Sequence, residues 1–180
     1  MMSQKKPWKI FAILVGLFLF PAVLAKYLYV HPHWLPQHKT NHGQLITPPL
    51  ELKQLSLSPS GHWILLFVQP QGCDTFCQKN LYTMQRIQRA LGEDMDRVQR
   101  VLLTAPPVID DAASEQIIKS TATSHWQIDL TTLNRVLGQP PAVWYIIDPP
   151  GNIILSYAAN THPDFILDDL KHLLGVSRID

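Results

Sequence analysis

The chain has 180 residues, a formal net charge of +1 and only two cysteines. That length bounds it to one folded domain plus one accessory segment. No basic cluster is dense enough for a phosphate-backbone footprint, so nucleic acid is excluded as a partner, and no internal repeat or low-complexity tract occurs.

The N-terminus reads as a membrane anchor. Lys5, Lys6 and Lys9 precede the charge-free run from Ile10 to Ala25. As a helix that run spans about 24 Å, short of a hydrocarbon core of roughly 30 Å. Extension through Lys26–Val30 supplies the missing length if the Lys26 ammonium snorkels to the interface. Trp8, Tyr27 and Tyr29 then fall at the two water–lipid boundaries, and Pro21 is placed to kink the helix. More lysines precede the span than follow it, which orients the N-terminus to the cytoplasm. A cleaved signal peptide ending at Val23-Leu24-Ala25 is the competing reading, but the apolar stretch is long for one. Both readings export residues 31–180. The expectation is a single-pass protein of the inner, cytoplasmic membrane, with residues 1–9 cytoplasmic, 10–30 in the membrane and a periplasmic C-terminal domain.

Residues 31–60 read as a His/Pro-rich linker leading into a β-rich segment. Pro32, Pro36, Pro48 and Pro49 break any helix there, and Gly43 marks a turn. His31, His33, His38 and His42 fall within twelve residues. Nothing in the sequence fixes their geometry, so a solvated stalk is the better reading than a metal site.

From residue 61 the pattern is that of a folded domain running to 180. Trp63–Val68 is a continuous apolar run, expected of a strand buried on both faces. Cys77, Leu81, Met84, Ile87 and Leu91 recur at helical spacing from Thr75 to Leu91, and Gly92 stops the helix. Val98–Leu103 is the second strand. Asp110 or Asp111 is placed to cap a helix reaching Ser120, and a short helix is expected near Thr131–Leu137. Ala142–Ile147 is a third strand, turned by Asp148-Pro-Pro-Gly-Asn152 into Ile153–Tyr157 as a hairpin. The last helix carries Ile166, Leu170, Leu173 and Leu174 on one face and is expected to end at Gly175. A parallel crossover unit joined to an antiparallel edge makes this an α/β protein: a thioredoxin-like mixed sheet flanked by helices, preceded by one N-terminal transmembrane helix.

The chemistry concentrates in Cys73-Asp74-Thr75-Phe76-Cys77, at the junction of the first strand and its helix. Backbone N–H groups at a helix N-terminus favour the thiolate, the reactive form of cysteine. At i, i+4 on a helix the Cα atoms stand about 6 Å apart, within reach of a disulfide. Two thiolates on one face can also hold Cu(I), which prefers soft sulfur. A purely structural staple is the plain alternative, though a five-residue loop gains little from one. The functional readings require both sulfurs to share an accessible edge of the domain.

Gly61-His-Trp-Ile-Leu-Leu-Phe67, the Cys-x-x-x-Cys motif, Leu81–Met84 and Tyr145-Ile-Ile-Asp-Pro-Pro-Gly151 together resemble the Sco family of cytochrome c oxidase assembly proteins. That family is membrane-anchored and thioredoxin-like, and the likeness covers residues 61–174. Asn41–Ile46 and Gly92–Val98 make the chain similar also to small transmembrane proteins encoded beside proteobacterial oxidase assembly factors. The resemblance implies copper binding, with a cytochrome c oxidase subunit or assembly factor as partner. Two positions depart from the Sco pattern. Asp74 stands where a proline follows the first cysteine, and its carboxylate disfavours a neighbouring thiolate. The family's histidine ligand falls at Pro140, beside Pro141. Either proline matches the cis-proline that thioredoxins place before this strand, facing the cysteines.

The site expected from this reading is Cys73 as attacking thiol and Cys77 as resolving thiol. As copper ligands the same pair would bind Cu(I), with His162 as a third candidate; His125 has weaker support and His62 reads as a surface residue. The function expected is thiol–disulfide exchange, Cu(I) relay or both, during oxidase maturation. The alternative is a non-catalytic scaffold with a structural disulfide. A hydrolase is not supported, since neither Gly-x-Ser-x-Gly nor His-Glu-x-x-His occurs. For a peroxidase no arginine is placed beside Cys73, and Lys79 need not face the thiol.

Overall fold

The computed structural model describes residues 7–31, 41–70, 73–105, 112–138 and 142–177. Contacts divide the chain into two units, residues 1–40 and 41–180. In the first, helix α1 (Pro7–Val30) runs without interruption through Pro21. Its stretch Ile10–Val30 is long and apolar enough to cross a membrane, and its side chains are exposed. At 1.5 Å per residue those 21 residues measure about 32 Å, the thickness of a bilayer core.

The second unit is built on a six-stranded mixed sheet. In chain order it contains β1 (Gln44–Glu51), β2 (Trp63–Val68), α2 (Thr75–Arg89), β3 (Val98–Thr104), α3 (Ala112–Ser120), β4 (Ser124–Gln127), α4 (Leu130–Leu137), β5 (Ala142–Ile147), β6 (Asn152–Ala158) and α5 (Pro163–Val176). The strand order is β1-β6-β5-β2-β3-β4. β2, β3 and β4 run parallel, while β5, β6 and β1 are added antiparallel.

Every residue of β2 is buried, as its unbroken apolar run requires when helices cover both sheet faces. On one face Leu65, Phe67, Leu102 and Trp144 pack beneath α2 and α5, which contribute Leu81, Met84, Ile166 and Leu170. On the other, Ile64, Leu66, Val101 and Ile147 meet Leu133 of α4 and a 3-10 turn carrying Leu52 and Leu55. Burial of these side chains, each stabilising by roughly 1.5–3 kcal/mol, sets the strand register.

Four elements differ from the sequence reading. β1 is a strand although Pro48 and Pro49 lie inside it. It sits at the sheet edge, and its register shifts between Leu45 and Leu50, where missing N–H donors are tolerated. β4 is four residues long and alternates too briefly to be read from periodicity. α2 stops at Arg89 rather than Leu91, because Gly92 at φ +62° opens a separate 3-10 turn through Arg97. α5 passes through Gly175 to Val176. Arg97 reaches its end, donating from Nη1 to the Leu174 carbonyl (3.1 Å) and from Nη2 to the Ser177 carbonyl (3.2 Å). Asp110 and Asp111 lie outside the described residues.

Candidate functional site

Strand β2 delivers the chain to the end of the sheet, and α2 begins there. Asp74 is the N-cap of α2, its Oδ1 accepting the Cys77 N–H at 2.9 Å. Aspartate is among the preferred residues at this position, because its side chain takes a donor that the first helical turn leaves unmatched. Cys73 therefore precedes the helix, and only Cys77 lies within it. The expected i, i+4 arrangement on one helix is corrected accordingly, and the Cα atoms are 4.9 Å apart.

Cys73 and Cys77 are joined as a disulfide, with S–S 2.01 Å. The pair packs into the core beneath α2 with Phe67, Trp144 and Leu81. The Phe67 and Trp144 rings stand 4.8 Å apart, and the Phe76 ring lies 6.3 Å from Phe67. Cys77 is fully buried and Cys73 keeps 8% of its surface, whereas Phe76 between them is 42% exposed. The requirement of two accessible sulfurs on one edge is therefore not met: both residues lie in the core, with Cys77 sealed and Cys73 the less enclosed, so any exchange must go through Cys73. Helix packing takes Cys77 inside because it falls on the same face as Leu81 and Met84.

His162 caps α5, its Nδ1 accepting the Asp164 N–H at 3.4 Å and lying 3.3 Å from the Asp164 carboxylate. His125 lies on β4 with Nε2 2.9 Å from Thr104 Oγ1, and burial lowers its pKa. His62 Nδ1 meets the Ser60 carbonyl at 3.0 Å and the residue is exposed. Lys79 is exposed on α2. Among the described residues no group of three or more His, Cys, Asp or Glu side chains could hold a metal. Pro140 and Pro141 lie outside those residues, and proline offers no side-chain donor in any case. The donor set is therefore two thiolates, available once the disulfide is reduced. Among the described residues that set suits digonal Cu(I), which prefers soft sulfur. The sequence reading missed the capping role of Asp74, although an aspartate just before the first helical residue is the signal for it.

Residues 63–177 match the family of transmembrane-like, thioredoxin-like C-terminal domains. The chain belongs to that family. Its sheet order and its cysteine pair at the β2–α2 junction give this membership its structural content, a thioredoxin-like fold with a close Cys pair. Among solved structures it is similar to Arabidopsis thaliana ScoI with copper bound, at TM-score 0.52 and 14% identity, covering 74% of this chain and 98% of that one. It is similar also to a SCO1/SenC family lipoprotein from Bacillus anthracis, at TM-score 0.48 and 19% identity over 77% and 99% of the two chains. A thiol:disulfide interchange protein from Bacteroides sp. gives 0.45 and 12% over 76% and 92%. The Arabidopsis structure shares the fold. No curated protein matches the sequence.

Proposed function

We propose that this family member is a membrane-tethered thiol–disulfide protein of cytochrome c oxidase assembly, using Cys73 and Cys77. The observation that carries the reading is the Cys73–Cys77 bond at a strand–helix junction, with the residual exposure on Cys73 alone. In the exchange, the Cys73 thiolate attacks a disulfide of the partner and expels one partner thiolate. The Cys77 thiolate then attacks the Cys73 sulfur and expels the second. The pair ends as the disulfide, the partner as a dithiol, and an exported dithiol donor restores the starting state. The order follows from access, since an incoming group meets Cys73 first. Phe76, exposed beside it, offers an apolar contact for the partner.

Cu(I) is a second cargo for the same two sulfurs, with the reduced pair as its ligands and an oxidase subunit or assembly factor as recipient. The resemblance to Sco proteins supports it, and Pro140 limits it to soft two-sulfur coordination. The domain layout that serves this function has residues 1–9 in the cytoplasm and 10–30 in the inner membrane. Residues 31–60 then form the lead-in, which supplies the sheet with its edge strand β1, and 61–180 the rest of the exported domain.

Burial of Cys77 favours one competing reading, a scaffold locked by a structural disulfide. Equilibration with glutathione distinguishes them, because structural bridges resist that pool. The decisive experiment replaces Cys73 and Cys77 singly by alanine in the host. Loss of oxidase activity in both variants, with the protein still present in the membrane, supports the proposal. Normal oxidase activity in both removes the exchange and copper readings together. Cu(I) stoichiometry measured by anaerobic competition then separates the two cargoes.

A further inference from the structure

The first turn of α2 gives the Cys77 N–H to a carboxylate and not to a sulfur. Asp74 Oδ1 accepts it at 2.9 Å from the N-cap position. A cysteine at that position would have this amide, and the positive end of the helix dipole, for its own thiolate. Cys73 instead stands one residue outside the cap. The negative charge that the helix end favours is already supplied by its neighbour.

Two effects then act on Cys73 in the same direction. The Cys77 amide is occupied, so a Cys73 thiolate gains no hydrogen bond from it, and the adjacent carboxylate repels a second negative charge. The charged groups buried on this side of the sheet are engaged elsewhere. Asp169 of α5 accepts from Tyr157, His42 and Gly43, and Arg100 of β3 donates to the Ala122 carbonyl. Lys79, the cation nearest to the pair in sequence, is exposed on α2. Phe67, Trp144 and Leu81, which pack with the pair, carry no charge.

We propose that Asp74 is a positioning residue for the exchange, one that withholds the end of α2 from Cys73 and thereby makes the pair an electron donor. This role rests on the exchange reading of the two cysteines given above. Stabilising a thiolate stabilises the reduced form and makes a pair oxidising. Without that stabilisation the reduced pair stays a dithiol at neutral pH, and the disulfide is the favoured product. Cys73 and Cys77 therefore pass two electrons and two protons to a partner disulfide. The partner becomes a dithiol as its S–S bond breaks, and the Cys73–Cys77 bond forms.

The test uses the full chain in detergent and the variant Asp74→Asn, which keeps a capping oxygen and removes the charge. In a Cys77→Ala background Cys73 is the one thiol, and its alkylation by iodoacetamide is followed from pH 6 to 10. Asp74→Asn should lower the midpoint by about one pH unit, a small effect for a neighbouring charge because Asp74 is exposed. At pH 7 the thiolate fraction then rises about tenfold, and lower nucleophilicity offsets part of it, so the rate should rise about threefold. With both cysteines present, exchange with dithiothreitol at pH 9 should shift about fivefold toward the dithiol in the variant. An unchanged midpoint or an unchanged exchange constant in Asp74→Asn overturns the role, since asparagine replaces a residue that only caps α2 without moving either. A wild-type bridge that dithiothreitol does not open overturns the exchange reading and this role with it.

Discussion

The Tyr157 phenol donates to Asp169 Oδ2 at 2.7 Å, with both side chains about 3% exposed. The same oxygen accepts the N–H of Gly43 at 2.9 Å and of His42 at 2.9 Å, and Oδ1 accepts His42 again at 3.0 Å. One carboxylate on α5 therefore binds β6 and the segment leading into β1. Its negative charge is tolerated in the interior because three donors surround it. Asp169→Ala would strand those donors, at a cost of about 2–4 kcal/mol. Chemical denaturation should show that loss, and hydrogen exchange should show residues 41–45 opening before the rest of the sheet. Unchanged exchange at those residues would mean that β1 pairing alone holds the segment.

Gly43 belongs to the same cluster. A Cβ there would stand 2.6 Å from two ring atoms of Tyr157. Asp169 holds the Tyr157 hydroxyl, so the ring has little room to retreat. Gly43→Ala should cost about 1–3 kcal/mol, typical of overpacking. In combination with Tyr157→Leu the two losses should be less than additive. A full-strength loss in the double variant would show that backbone conformation, and not the ring, demands glycine.

The apolar strands, α2, the hairpin and α5 were legible because each carries a complete period of its pattern: an unbroken run in β2, or Cys77, Leu81, Met84 at helical spacing. The cysteine pair was legible for the same reason, since it sits where two such patterns meet. Other features were not. β1 was masked by Pro48 and Pro49, whose effect depends on a sheet edge that only the fold creates. β4 was too short. The burial of Cys77 and the contacts of Asp169 depend on elements distant in sequence, His42 being 127 residues from Asp169. The same dependence on distant elements hid the burial of Arg100, because an arginine in a strand reads as an outward-facing residue.

Tyr157 should also shape the alkaline limit of stability. Burial first, then the hydrogen bond to Asp169 and its charge, raise the phenol far above its usual value near 10. Burial raises Tyr145 as well. A raised folded pKa gives stability that is complete below the unfolded value and lost as pH rises past it. Between its unfolded and its folded value, Tyr157 removes about 1.4 kcal/mol per pH unit. Tyr157→Phe should be less stable at pH 7 by about 1–2 kcal/mol through the lost bond to a carboxylate. Its stability should nevertheless fall less steeply than wild type above pH 10. Parallel curves for the two proteins would show that the phenol ionises as readily in the fold as outside it.

His125 acts at the other limit. It pairs with Leu102 across β3 and β4 and places Nε2 against Thr104 Oγ1 at 2.9 Å. Thr104 is fully buried and the His125 ring half-buried, so protonating the ring costs part of its hydration. Burial accordingly holds the His125 pKa below the usual 6.5. A depressed folded value means the unfolded chain takes up the proton first. The stability contributed is then complete above about pH 6.5 and lost as pH falls through the folded value. Replacing His125 by Gln keeps a hydrogen-bonding partner for Thr104 and removes the titration. The variant should therefore show a flatter stability profile between pH 7 and 5, measured by denaturant midpoint at each pH. A variant with the wild-type slope would show that the ring reaches solvent when it protonates, and the acid limit would then belong to the carboxylates alone.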